Sequence, residues 1–183
     1  MTTLQKVIKY LAIAFAIFLT ITIIGGILSA VGLFGGLFAW DTATEDMKTY
    51  TVTSEIHNLK IQINAADLYI KEADDFSVES NLKYLKVEEK DNTLIIEETK
   101  KFSGTYSDAV LTIYVPTGVV FDNTDLTTGA GRLTIETLSS GTMNFVLGAG
   151  DVSINSLVAT TSADIEGGAG RITIDGGTLK DLD

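Results

Sequence analysis

One seven-residue pattern recurs along the C-terminal half of the chain and limits its fold more than any other feature. Gly129-Ala-Gly-Arg-Leu-Thr-Ile135, Gly148-Ala-Gly-Asp-Val-Ser-Ile154 and Gly168-Ala-Gly-Arg-Ile-Thr-Ile174 align without gaps, their starts 19 and 20 residues apart. A weaker copy is Asn64-Ala-Ala-Asp-Leu-Tyr-Ile70. Internal repeats at a fixed period mark architectures in which each unit buries its apolar face only against its neighbours.

The pattern has its own chemistry. Gly and Asn are the residues that best tolerate a left-handed backbone, so Asn64, Gly129, Gly148 and Gly168 are expected to turn the chain at φ > 0. The following Ala-Gly or Ala-Ala, including Gly131, Gly150 and Gly170, is small enough for neighbouring backbones to close up. Strict alternation comes next. Leu133 and Ile135, Val152 and Ile154, and Ile172 and Ile174 point one way, with polar partners between them, as in a strand with one buried face. Met143 and Phe145, then Ala163 and Ile165, repeat the alternation in the second half of each unit.

About two short strands per 19–20 residues suit an all-β fold, a parallel β-solenoid with strands of successive coils about 4.8 Å apart. Parallel crossovers are overwhelmingly right-handed, so that hand is expected. With coils in register, Arg132, Asp151 and Arg171 form an outward column of alternating charge, and Thr134, Ser153 and Thr173 a hydroxyl column beside it. These six residues are the candidate binding face.

Before the glycine units, alternation predicts strands at 60–63, 76–79, 85–88, 93–98 and 109–115. The 65 residues between Asn64 and Gly129 are not a whole number of coils, so an insertion is expected there. Residues 99–107 read as a protruding loop and Pro116-Thr117-Gly118 as a turn.

The other end of the chain differs in composition. No charged residue occurs from Tyr10 through Trp40, a run of 31 in a chain that is 20% charged overall. A bilayer-spanning helix needs about 20 apolar residues, so one N-terminal transmembrane α-helix is predicted. Lys6 and Lys9 precede the run and Asp41, Glu45 and Asp46 follow it. The positive-inside rule then places the N-terminus in the cytoplasm and the C-terminal domain outside a cell membrane crossed once. A cleaved signal peptide would have a shorter apolar region. Ser29-Ala30 is a faint cleavage candidate, but the run continues through Val31-Gly32-Leu33-Phe34. Gly26 with Ala30, and Gly32 with Gly36, have the spacing that lets such helices pair. The domain plan is thus an N-terminus and membrane helix over 1–40, a linker over 41–55 and a β-solenoid over 56–183, its glycine coils at 129–183.

Residues 41–183 carry all 24 acidic side chains and 11 of the 13 Lys and Arg, a formal charge of −13 that disfavours nucleic acid as a partner. With no cysteine and a single histidine, His57, neither a zinc site nor a hydrolytic triad can be assembled from the usual residue types. A dinucleotide fingerprint would open a helix, not a strand. Calcium β-rolls have a nine-residue period. The acidic pairs Asp74-Asp75, Glu88-Glu89 and Glu97-Glu98 read as a solvated surface. No cofactor is expected.

The Lys-containing N-terminus, the apolar helix, the Leu-Thr-Ile-Tyr-Val-Pro strand at 111–116 and the Gly-Ala-Gly-x-Leu-x-Ile units together resemble a family of Gram-positive envelope proteins. It is the β-strand-repeat "putative adhesin" family of unknown function. The resemblance implies a membrane-tethered β-solenoid facing the cell wall, in a family sometimes associated with envelope-stress systems, and it supplies no catalytic residues. Three roles follow as expectations. The first is a non-catalytic accessory protein contacting another envelope or membrane protein, and the second an adhesin that binds cell-wall glycan or a surface. The third is a solenoid enzyme, which would need a carboxylate pair or basic cluster that the glycine coils do not offer.

Overall fold

The computed structural model describes residues 43–99 and 106–182, all within one compact unit, Thr42–Asp183. The expected membrane helix lies outside the described residues, as does most of the 99–107 loop. No helix among the described residues is long and apolar enough to cross a membrane.

The unit is all-β. Its strands are β1 (Thr44–Thr51), β2 (Asn58–Ala65), β3 (Asp67–Ala73), β4 (Ser77–Leu82), β5 (Leu85–Lys90), β6 (Thr93–Glu98), β7 (Val110–Pro116), β8 (Phe121–Ala130), β9 (Leu133–Ile174) and β10 (Gly177–Leu179). The 42-residue β9 is a ribbon that bends through successive coils, not one straight strand. Each strand expected before the glycine units is present with slightly different ends, and Pro116-Thr117-Gly118 turns as expected, with the Val119 N–H donating to the Pro116 carbonyl at 3.2 Å.

The repeats stack in register. β8 lies parallel to β9 with Leu126 beside Phe145 and Ala130 beside Ala149, an offset of 19. β2 lies parallel to β8 with Ile61 beside Leu126 and Ala65 beside Ala130, and β3 meets β9 with Leu68 beside Leu133. The weak copy therefore occupies a coil directly against the first strong one. Alternation drives this arrangement. Leu68, Ile70, Leu126, Ile135, Phe145 and Ile154 are fully buried, while their polar neighbours face out. Each such aliphatic side chain contributes roughly 1.5–3 kcal/mol by leaving water, and a slip of one residue would reverse every face.

The glycines act differently from the sequence expectation. Positive φ falls on the third residue of the pattern, at Gly131 (+123°), Gly150 (+145°) and Gly170 (+148°), and not on Gly129, Gly148 or Gly168. Those first-position glycines are required by contact instead. A Cβ on Gly148 would sit 2.0 Å from the Gly129 carbonyl oxygen, and one on Gly168 would sit 2.3 Å from that of Gly148. Asn64 does not adopt the expected positive φ either; its side chain is held by Glu98, with Nδ2 donating to Oε2 at 2.9 Å.

The 65-residue gap holds a coil of its own. β6 pairs in parallel with β2, and β7 with β3, on the side away from the glycine units. Leu94 and Ile96 lie beside Leu59 and Ile61, and Leu111 and Ile113 lie beside Leu68 and Ile70. The first coil in sequence is thus interior in space, because its two edges offer equivalent apolar columns to the coils later in the chain. Antiparallel strands close this head end: β5 on β6, β4 on β7 and β1 on β4. The expected 41–55 linker needs correction, since Thr44–Thr51 forms an edge strand whose Tyr50 packs against the core. Its charged sequence does not alternate, which hid it.

One core position breaks the apolar rule. Thr124, 1% exposed in the column Leu59, Thr124, Met143, has a hydroxyl with no hydrogen-bond partner. At the tail end, Gly167 lies one coil on from Leu147, and a half-open cleft of about 310 Å³ lies along the glycine arcs between Leu147, Val152 and Ile172.

Candidate interaction face

The outward face of β3, β7 and the matching stretches of β9 collects the sequence-predicted residues. In-register stacking extends the charge column by one position, to Asp67, Arg132, Asp151 and Arg171. Asp67 anchors it: the Arg132 backbone N–H donates to Asp67 Oδ1 at 3.0 Å, and the Arg132 guanidinium lies 3.8 Å from Oδ2. Both side chains are largely exposed, so this ion pair stabilises the register by at most about 1 kcal/mol. The hydroxyl column becomes Thr112, Tyr69, Thr134, Ser153 and Thr173, with Tyr69 beside both Thr112 and Thr134.

Tyr69 joins the candidate face, and sequence reasoning passed it over. It occupies the x position of the weak copy Asp-Leu-Tyr-Ile, so aligning all four copies places it in the column. Lys71 lies over its ring, Nζ 5.3 Å from the centroid. Nearby, Tyr114 donates to Glu79 Oε2 at 3.1 Å, and its phenol is held above the usual value first by burial and then by that acceptor. Glu136 accepts from the Glu72 backbone N–H at 3.1 Å, tying the lower rim of the face to the next coil.

The adjoining face, formed by β2, β8 and β9, carries a polar ladder. Asn123 Nδ2 donates to Asn58 Oδ1 at 2.8 Å, and the Thr142 hydroxyl donates to Asn123 Oδ1. His57 stands beside this ladder with Glu55 and Asp122 each 3.4 Å from a ring nitrogen, and its side chain is 45% exposed. Among the described residues, no set of His, Asp and Glu has the arrangement of a metal site.

Glu98 holds the head coil onto its neighbour. Its Oε2 accepts from the backbone N–H and from Nδ2 of Asn64, both at 2.9 Å, while Oε1 accepts from the Tyr106 hydroxyl at 2.7 Å. A carboxylate here replaces the carbonyl that a further glycine arc would have supplied. Glu89 does similar work at the edge, where hydrogen bonds from the Ser54 side chain, the Ser54 N–H and the Thr53 N–H hold its carboxyl below the usual range.

Stacked coils with a polar outer face define an all-β, β-solenoid-like domain. Residues 56–183 match the Toastrack DUF4097 family, and the chain belongs to it. This is the "putative adhesin" family that the glycine units and the strand-plus-proline element resemble. No curated protein matches the chain significantly. Among solved structures, a putative cell adhesion protein from Clostridium sporogenes is 14% identical over 73% of this chain and 99% of that one, with a TM-score of 0.45. A putative adhesin from Bacteroides fragilis is 16% identical over 75% and 80%, with a TM-score of 0.39. A putative lipid binding protein from Parabacteroides distasonis is 14% identical over 78% and 77%, with a TM-score of 0.32.

Proposed function

We propose that this chain is a non-catalytic, membrane-anchored interaction protein of the cell envelope. Its N-terminus lies in the cytoplasm, a single helix from near residue 8 to near residue 32 crosses the membrane, and a right-handed parallel β-solenoid stands outside. The solenoid face built on Asp67, Tyr69, Arg132, Thr134, Asp151, Ser153, Arg171 and Thr173 contacts another envelope or membrane protein, and a role in envelope stress fits that placement. One observation carries the reading: the candidate residues line up across the coils, with Asp67 and Tyr69 level with Arg132 and Thr134 and the later coils kept in step by the close Gly131–Gly150 and Gly150–Gly170 approaches, a surface suited to a flat partner. Long-range alternation of charge along such a face favours one docking register over others more than it adds affinity.

The test is recovery of partners from detergent extracts with the full chain as bait. A specific membrane protein recovered by the parent chain, and lost with Tyr69→Ala and Arg132→Glu combined, is the expected result. Identical recovery by both chains overturns the assignment of this face.

A glycan-binding role is the second reading, favoured by the Tyr69 ring lying among hydroxyls with Lys71 over it. Sugars stack on such rings, and flanking hydroxyls and charges hold their hydroxyl groups. Retention of the full chain on purified cell wall, reduced at least tenfold by Tyr69→Ala, would favour it over the first.

A further inference from the structure

The two ends of the coil stack are finished differently. At the head, the outer edges are β5 and β1, charged strands whose ion pairs, Lys86 with Glu88 and Lys48 with Glu45, lie along the edge. Such edges resist strand addition. At the tail, the chain beyond Gly177 stacks over residues 157–159, and Leu182 reaches Ala163. Among the described residues, nothing pairs with the outer edge of 164–174, and Ile172 is 41% exposed there.

This outer edge has a definite pattern. The Asp175 N–H donates inward to the Ile154 carbonyl at 2.8 Å. Backbone groups alternate sides along a strand, so the N–H and C=O of Ile172 and Ile174 point out of the stack. Residues 171–175 read Arg-Ile-Thr-Ile-Asp. Reversed against itself about Thr173, this segment sets Arg171 opposite Asp175 and Ile172 opposite Ile174. Among the described residues, neither Arg171 nor Asp175 makes an ion pair with another group.

We propose that the partner of this edge is a second copy of the chain, paired antiparallel through residues 171–175 about a two-fold axis at Thr173. Ile172 and Ile174 then exchange backbone hydrogen bonds with Ile174 and Ile172 of the second copy, and their side chains extend the apolar core across the junction. Arg171 and Asp175 meet Asp175 and Arg171 of the second copy on the outer face. Shifting the axis by one residue sets Thr173 opposite Arg171 or Asp175, which loses the charge match. Because the charged head edges disfavour head-to-tail addition, the assembly is isologous and closes as a dimer, not a fibre. This inference does not depend on which partner the outer face binds.

The test uses the full chain in detergent or nanodiscs. The chain contains no cysteine, so Thr173→Cys introduces a lone thiol on the axis. Residues directly opposite in a non-hydrogen-bonded antiparallel pair have Cα atoms about 4.5 Å apart, within disulfide reach. Thr173→Cys is expected to give a cross-linked dimer on mild oxidation, and Ser153→Cys, one coil inward, none. Arg171→Asp alone should weaken pairing about tenfold by replacing attraction with repulsion at both symmetry-related contacts, and adding Asp175→Arg should restore it. Failure of Thr173→Cys to cross-link in folded chain overturns the proposal. So does equal cross-linking at Ser153→Cys, or the absence of rescue by the double reversal, as for a dimer held by the N-terminal segment or an edge covered by a different protein.

Discussion

The glycine coils at 129–182 and the head coil of β6 and β7 solve one stacking problem by opposite means. In the glycine coils the turns carry almost no side chains, and backbones meet at distances where any Cβ would collide. In the head coil the gap at Asn64 is filled by the Glu98 carboxylate, which also accepts from Tyr106. Backbone-only stacking can be repeated indefinitely, which is why it needs only Gly-Ala-Gly. Side-chain stacking happens once and ends the array, and antiparallel strands then cover the remaining edge. The repeat motif thus specifies propagation, while termination is written in scattered polar residues.

The largest expected effect breaks propagation. In Gly150→Ala the new Cβ would lie 1.8 Å from the Gly131 carbonyl oxygen, at a φ of +145°. Clash and strain together are expected to cost about 3 kcal/mol or more, read as a lower denaturant midpoint. Gly118→Ala has nothing within 4 Å and should cost about 1 kcal/mol, from its φ of +83° alone. Equal losses at the two sites would show that close approach is not what the arcs require.

Termination is tested at Glu98. Glu98→Ala leaves the Asn64 donors and the Tyr106 hydroxyl without their acceptor. A loss of about 2 kcal/mol is expected, with hydrogen exchange at Asn64 accelerating more than at Gly148. Uniform acceleration across both regions would contradict a local capping role.

The next effect has the opposite sign. Thr124→Val removes a buried hydroxyl without a partner and keeps the shape. It is expected to raise stability by about 1 kcal/mol, measured by thermal or denaturant unfolding. Destabilisation would mean that the hydroxyl has an acceptor in solution.

The smallest effect concerns pH at the head edge. Glu89 has a folded-state pKa below its unfolded value, owing to Ser54 and Thr53. Its contribution is therefore present above the ordinary glutamate pKa of about 4.3 and disappears as pH falls through the lower folded value. Glu89→Gln should lower the denaturant midpoint slightly at pH 7, and the gap should close as pH falls through the lowered folded value. A gap that persists at low pH would assign the effect to packing instead.

Much of this architecture was legible from local pattern. Period-two alternation located β2 and β4–β7, and the fixed spacing of the glycine units predicted their register. The β5–β6 hairpin turn was less visible. Asp91 and Asn92 both adopt positive φ, +50° and +57°, a pairing characteristic of a primed two-residue turn. They lack the glycine that usually announces it. Six of the eight residues of the candidate face were legible too, since Arg132, Asp151 and Arg171, and Thr134, Ser153 and Thr173, align by spacing alone. Asp67 and Tyr69 were hidden by the irregular gap that separates their coil from the rest.

Local pattern alone specifies which residues face inward, the register of the glycine coils and that the C-terminal turns admit almost no side chain. These follow from periodicity and from glycine's missing Cβ, which are properties of neighbouring residues. Only the tertiary structure decided that β6 and β7 stack on the far side of the first coil, that Glu98 substitutes for a missing carbonyl, and that φ > 0 falls on Gly131, Gly150 and Gly170. A coil with two equivalent apolar edges does not specify which edge the chain returns to. That choice is made by long-range packing, which local pattern does not encode.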